Sequence, residues 1–442
     1  MSKYVTNNAN GDMYRNFTFF RSRATMRTPF CSFWEKHNRN SVRIGFLNDG
    51  DKDKMRIFKN QTVLPLFLLF CSMLISRTAV SAISPVFPLY MVDLGFTVAD
   101  LGIVSASLGI ALIIFEPLWG SLINRLGAKT IFLSSTLLTA LILFSYTLVR
   151  DLAGFVFLRF LAGVFGSAGA VSTRTLMWKV IPRKERAFGT WYAISAAAGV
   201  MGPVIGGIVA SQGYVLAFYA STVIAMMAFF LSFGSPESKN TDSANTGSAF
   251  RGMDRSEKKI LFAASALIAM PYFLRTVYLT YMPVFAKESP KFLLGPVEIG
   301  VAVAGMGVAG FFAPFLHSEL AGKGGVKKII VLGMSLQAAS FMLLSVVAGF
   351  PMLCLTAVLL GLAEAAISPC MMAFLMDKIR FSNRGFAIGV YGAGEDVGIL
   401  AGPLVAGYLY QGYGAEFSFY VTAALMLGNV LVSIPLLRRA AQ

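Results

Sequence analysis

The sequence predicts an all-α membrane protein: twelve transmembrane helices in two pseudo-symmetric six-helix bundles. Three observations predict it, namely a charge-poor composition, twelve apolar stretches of spanning length, and an internal repeat pairing the first six with the last six. Of the 442 residues 56% are hydrophobic and only 14% charged, whereas soluble domains carry about a quarter charged residues. A bilayer-spanning helix needs about 20 mostly apolar residues. Such stretches run over about 62–92, 99–119, 129–149, 153–176, 187–211 and 214–234. They run again over about 259–286, 297–317, 327–347, 351–376, 386–411 and 415–437. Barrel strands would alternate apolar and polar residues over about 10 positions, and these stretches do not.

The repeat is visible by setting the chain against itself. Arg77-Thr78 and Pro85-Val86-Phe87 of the first helix recur as Arg275-Thr276 and Pro283-Val284-Phe285 of the seventh, at identical spacing. Gly102 pairs with Gly300 at that same offset. In the fifth helix Gly189, Trp191, Gly202, Pro203 and Gly207 match Gly389, Tyr391, Gly402, Pro403 and Gly407 of the eleventh. Parallel halves of this kind are a transporter plan, with the solute site between them near the midplane. The Ser/Asn/Thr/Gly-rich stretch 236–258 has linker composition. The expected organisation is a basic extension over 1–60, bundles over 61–235 and 259–437, a cytoplasmic linker over 236–258 and a tail over 438–442.

The net charge of +16 is a topology signal. Loops on one side hold Arg125, Lys129, Lys179, Arg183, Lys184, Arg186, Lys323, Lys327, Lys328, Lys378, Arg380 and Arg384, against Arg150, Lys287 and Lys291 on the other. That bias places both termini in the cytoplasm, in a plasma or cytoplasmic membrane. No basic patch with interleaved aromatics stands outside loops and tail, so nucleic acid is not an expected partner. Residues 1–60 are basic and acid-poor. They read as a disordered cytoplasmic extension drawn to anionic lipid, as a transit peptide, or as sequence upstream of a true start at Met55.

Enzyme and metal chemistry find no footing. Cys31, Cys71, Cys354 and Cys370 make no metal or redox spacing, and His37 and His317 are too far apart for a histidine-based metal site. Gly305-Met306-Gly307-Val308-Ala309-Gly310 has a nucleotide-loop pattern but lacks a preceding strand, and there is no P-loop. No cofactor and no catalytic residues are expected.

The loop Gly120-Ser121-Leu122-Ile123-Asn124-Arg125-Leu126-Gly127-Ala128-Lys129 and the loop Pro182-Arg183-Lys184-Glu185-Arg186-Ala187-Phe188-Gly189 resemble signatures of the major facilitator superfamily. The resemblance covers about 62–437. It implies alternating access, with a cytoplasmic gate at Gly120, Asn124, Arg125, Gly127 and Lys129. Asn124 stands where the family usually has the Asp that latches this gate, so a weaker or different latch is implied. Gly202-Pro203-Val204-Ile205-Gly206-Gly207 is similar to the motif of the family's drug–proton antiporters, with Ala198 at its usual leading glycine. Physically, the glycines permit close helix approach and Pro203 bends the helix. That suits a hinge, repeated at Gly402, Pro403 and Gly407, or ordinary small-residue packing. Arg159, in Arg159-Phe160-Leu161-Ala162-Gly163, resembles a family motif linked to proton transfer.

Charges at membrane depth are costly and read as functional. Arg77 and Arg275 lie halfway along their helices, and two planar guanidiniums aimed at one cavity suit a carboxylate or phosphate. The pair resembles the arginines of the family's organophosphate exchangers. Alternatively each arginine is neutralised by a buried acid. The available acids are Glu364, Glu395 and Asp396. A carboxylate out of water can take and release a proton near neutral pH, as proton coupling needs, or it can bridge to Arg77 or Arg275. Glu116 reads as a gate or loop partner. Trp191, Tyr278, Tyr281 and Tyr391 can line the cavity or simply pack.

The leading expectation is therefore a secondary transporter that exports drug-like organic solutes in exchange for protons, acting as a monomer in the lipid bilayer. An organic-anion or phosphate-ester carrier using Arg77 and Arg275 is the alternative. A transporter-like membrane sensor or enzyme is the reading from another class.

Overall fold

The computed structural model describes residues 63–181, 184–236, 253–346, 348–380 and 383–439. The basic extension, most of the linker and the final three residues lie outside the described residues. Twelve helices account for nearly all of the rest: α1 Val63–Asp93, α2 Val98–Leu126, α3 Ala128–Ser145, α4 Leu152–Val180, α5 Lys184–Ala210 and α6 Tyr214–Ser232. The second set is α7 Arg255–Glu288, α8 Pro296–Gly324, α9 Val326–Val346, α10 Phe350–Lys378, α11 Arg384–Tyr413 and α12 Ala415–Arg439. Ten are long and apolar enough to cross a bilayer. The other two are α8, whose apolar stretch is Pro296–Phe312, and α11, which carries Glu395 and Asp396. No strand occurs among the described residues.

Helix ends fall where side chains can satisfy the orphan N–H groups of a first turn. Thr97 and Asp100 form a capping box at α2, and Asp151 accepts from Gly154 N at 2.9 Å at α4. Asp254 and Glu257 form a second box that starts α7 at Arg255, about one turn before the expected position. Single glycines with left-handed backbone, Gly127 (φ 85°) and Gly414 (φ 88°), join α2 to α3 and α11 to α12. Only a residue without Cβ turns that sharply at no steric cost.

Helices α2 and α11, and α5 and α8, carry the main contacts between the halves. These seams are lined by glycine at the end of the bundle opposite the start of α1 and the end of α12, hereafter the distal side. A Cβ on Gly109 would lie 2.7 Å from Leu400 Cα, and one on Gly207 would lie 2.5 Å from the Pro296 carbonyl oxygen. Gly300 faces the Pro203 carbonyl, and Gly307 faces the backbone of Gly199. Lys287 of α7 adds a long ion pair to Asp93 of α1 (3.9 Å) and sits 5.2 Å from the Tyr214 ring. At the terminal side Gly120, Gly189 and Gly389 meet open space, and among the described residues no ion pair joins the halves there. Among the described residues the close contacts between the halves lie on the distal side.

A polar anchor closes the terminal end of the second half. The Glu257 side chain is buried and accepts from Arg380 N (2.8 Å), Arg380 Nη2 (3.0 Å) and Asn383 Nδ2 (3.2 Å), tying α7 to the α10–α11 junction. Glu257→Ala leaves those donors short of an acceptor and is expected to cost about 1–3 kcal/mol. The midpoint of thermal unfolding in detergent reads this directly, and an unchanged midpoint would mean the anchor carries no stability.

Candidate functional site

Charged side chains at mid-helix converge where the halves face each other. From the first half, α1 supplies Arg77, α2 Glu116, α4 Arg174, and α5 Trp191 and Tyr192. The Trp191 indole lies between two guanidiniums, 4.3 Å from Arg77 Cζ and 4.6 Å from Arg174 Cζ to the ring centroid. Its Nε1 donates to Thr173 Oγ1 at 3.3 Å, which fixes the ring. Arg174 Nη1 pairs with Glu116 Oε1 at 3.0 Å. Among the described residues Arg77 has no carboxylate partner: an indole face compensates its charge, an interaction worth about 0.5–2 kcal/mol.

From the second half, Arg275 Nε pairs with Glu364 Oε1 at 3.0 Å, bridging α7 and α10. Its Cζ is 5.9 Å from the Tyr272 ring centroid. Glu395 of α11 lies within electrostatic reach of Tyr272, Arg174 and Arg275. Asp396, only 6% exposed, lies within reach of Glu116, Glu395 and Arg174. Longer-range electrostatic interactions link Arg77 to Arg275 and Tyr192 to Glu395 and Glu364, so the two sets face one another. Three guanidiniums and four carboxylates meet here. After the two ion pairs form, Arg77, Glu395 and Asp396 remain without an ion-pair partner among the described residues.

Arg77 and Arg275 thus converge, but unequally. The buried-acid alternative holds for Arg275 and fails for Arg77. The tyrosines correct the expectation of a cavity lining. Tyr278 is fully buried, its hydroxyl 3.4 Å from Thr356 Oγ1. Tyr281 is fully buried and donates to the Pro403 carbonyl at 2.6 Å. Tyr278 is about 60° around the helix from Arg275, which turns it into the packed interior of its own half. Tyr391 is buried as well, yet within reach of Glu395.

Arg159 stands apart from the central acids, 4.7 Å from the Phe87 ring centroid, with its buried Nε lacking a hydrogen bond. In the gate, Asn124 and Arg125 are exposed and neither Arg125 nor Lys129 makes an ion pair among the described residues. Gly202 and Gly206 seat α5 on Ser81 and Ala82 of α1, a packing role within one half. Gly402 likewise seats on Phe273 and Thr276 of α7. Pro203, Gly207, Pro403 and Gly407 of that motif and its repeat reach the other half, through Gly300, Pro296, Gly102 and Val98.

Arg174, Tyr192 and Tyr272 are members of the site that sequence reasoning missed. Arg174 sits six residues before the end of α4, where a charge reads as loop-side. Its signal was Glu116, an acid inside α2 that required a partner.

The profile of the Major Facilitator Superfamily matches residues 69–316 and 289–441. The chain is 25% identical over 386 residues to quinolone resistance protein NorA of Staphylococcus aureus (strain MRSA252), covering 83% of this chain and 95% of that protein. It is 24% identical over 386 residues to multidrug resistance protein MdtG of Proteus mirabilis (strain HI4320), covering 83% and 94%. Among solved structures, nucleoside transporter NupG superposes with a TM-score of 0.72 at 14% identity, covering 85% of this chain and 99% of that one. The human organic anion transporter MFSD10 (TETRAN) superposes with a TM-score of 0.59 at 16% identity, covering 84% and 99%. At those identities the structures speak to the fold alone. The chain belongs to the major facilitator superfamily, and it is an integral multi-pass membrane transporter, not an enzyme.

Proposed function

We propose that this transporter exports drug-like organic solutes, amphiphilic cations foremost, in exchange for protons. The carrying observation is the pair of carboxylates, Glu395 and Asp396, that stand at the meeting of the halves with no ion pair among the described residues. A buried carboxylate without a cation can hold either a proton or a cationic solute, and exclusive occupancy by one or the other is antiport. Aromatic faces at Tyr272, Tyr192 and Trp191 give a lipophilic cation its apolar and cation–π contacts. The names of NorA and MdtG, which match over nearly their whole length, support the same reading. With the termini in the cytoplasm of a plasma membrane, the side opposite the glycine seams faces the cytoplasm and takes solute from within. A monomer suffices, since both halves of the site lie in one chain.

Arg77 favours a second reading. A guanidinium without a carboxylate partner suits a solute's own carboxylate or phosphate, which would make the protein an organic-anion carrier. Thermal stability of the detergent-purified protein against a ligand panel separates the two. A ligand at 100 times its Kd adds about 2.7 kcal/mol to the folded state. The expected result is stabilisation by tetraphenylphosphonium or a quinolone that survives Arg77→Ala. Stabilisation by organic phosphates or carboxylates alone, lost in Arg77→Ala, would overturn cation export in favour of anion transport.

A further inference from the structure

The longest helix, α7, contains Pro271 immediately before Tyr272 and one turn before Arg275. A proline there has no N–H to give the carbonyl four residues back, and its ring pushes against that carbonyl. The carbonyl is that of Leu267, in the apolar core, where a polar group left alone is costly. Asn429 of α12 donates Nδ2 to the Leu267 oxygen at 3.1 Å. Gln337 of α9, fully buried, donates Nε2 to the Pro271 oxygen at 2.9 Å. Both acceptors are carbonyls, so both amides must present their NH2 groups. On the opposite face a Cβ on Gly398 of α11 would lie 2.8 Å from Phe273 N, and Gly398 also abuts Ala269. The proline turn of α7 is held between an amide pair and a glycine seam.

We infer that Gln337 and Asn429 are positioning residues for the transport site. They fix the bend at Pro271 and through it the direction in which Tyr272 and Arg275 enter the cavity. The arrangement belongs to the second half alone. At the repeat offset that matches Arg275 to Arg77, Pro271 falls on Met73 and Gln337 on Thr139. The corresponding turn of α6 reads Ala228-Phe229. Gln337 also carries a cost, because its Oε1 is buried without a partner. A side chain that leaves one polar atom unmet gains less for stability than an apolar residue of its size would, and geometry is what it supplies instead. The inference does not depend on which solute is carried.

A double-mutant cycle on the purified full chain tests it. Cys31, Cys71, Cys354 and Cys370 are replaced by Ser, Tyr272→Cys supplies one thiol at the cavity, and the rate of its labelling by a maleimide is measured. Asn429→Leu removes the donor to Leu267. Pro271→Ala restores a backbone N–H that can take its place. Asn429→Leu is expected to change the labelling rate about tenfold, and adding Pro271→Ala to return it to within about twofold of Pro271→Ala alone. Gln337→Leu is expected to change the rate while moving the unfolding midpoint little. If Asn429→Leu does not fold, recovery of folded protein in the double variant is the same rescue. Additive effects of Asn429→Leu and Pro271→Ala, an unchanged labelling rate, or a double variant that also fails to fold would each overturn the assignment.

Discussion

Glu395→Gln is expected to abolish uphill transport while sparing exchange of solute for solute. Glutamine keeps the volume and an oxygen that can face Tyr272 but cannot change its charge. A positioned proton carrier contributes about 10²-fold or more to the process it serves, so proton-driven flux should fall on that scale. Counterflow needs no net proton movement and, with Asp396 still offering the solute a carboxylate, should fall far less than uphill flux. Glu395 is singled out over Asp396 because adjacent residues point about 100° apart on a helix and Asp396 is the buried one. Asp396→Asn should therefore weaken coupling less. Equal loss of counterflow and uphill flux in Glu395→Gln would make this residue a solute ligand only.

The second large effect concerns the distal seam. Gly300→Leu places a side chain against the Pro203 carbonyl and 3.2 Å from Gly207 Cα. Forcing a larger side chain into a packed contact costs about 1–3 kcal/mol. The cost falls only on the distally shut state, because only there do α5 and α8 meet at these atoms. Each 1.4 kcal/mol is about tenfold in a population ratio, so the variant should rest with its distal side open. Spin labels at Gln212→Cys and Pro290→Cys, at the distal ends of the two halves, should move apart. Net transport should fall with them. An unchanged label distance would mean that the glycine seam does not set the resting state.

The fold was legible because its determinants are local or repeated. Apolar runs of spanning length give the helices, and the repeats of Arg77 as Arg275 and of Gly202 as Gly402, each at its own fixed offset, give the two halves. Even α11, which falls short as an apolar span, was legible through its match to α5. The site was legible in part, and the limit is helix rotation. Charges at membrane depth point to Arg77, Arg275, Glu364 and Glu395. Which guanidinium meets a carboxylate and which meets an indole depends on how α1, α5, α7 and α10 are turned about their axes. That rotation also takes Tyr278 into the core, though it follows Arg275 by less than a turn. Arg174 was hidden by its closeness to a basic loop, and only the packing of α2 against α4 brings it to Glu116. Gln337 and Asn429 gave a signal of another kind, as amides inside apolar helices with no motif around them.

The central claim, that solute and proton compete for carboxylates between the halves, is tested most directly in proteoliposomes. The purified protein is reconstituted, an inside-acid pH gradient is imposed, and uptake of tetraphenylphosphonium is followed against its starting gradient, with the membrane potential clamped. The account predicts uphill accumulation that collapses when a protonophore dissipates the gradient and is absent in Glu395→Gln. Accumulation that ignores the pH gradient, or that persists in Glu395→Gln, would contradict it.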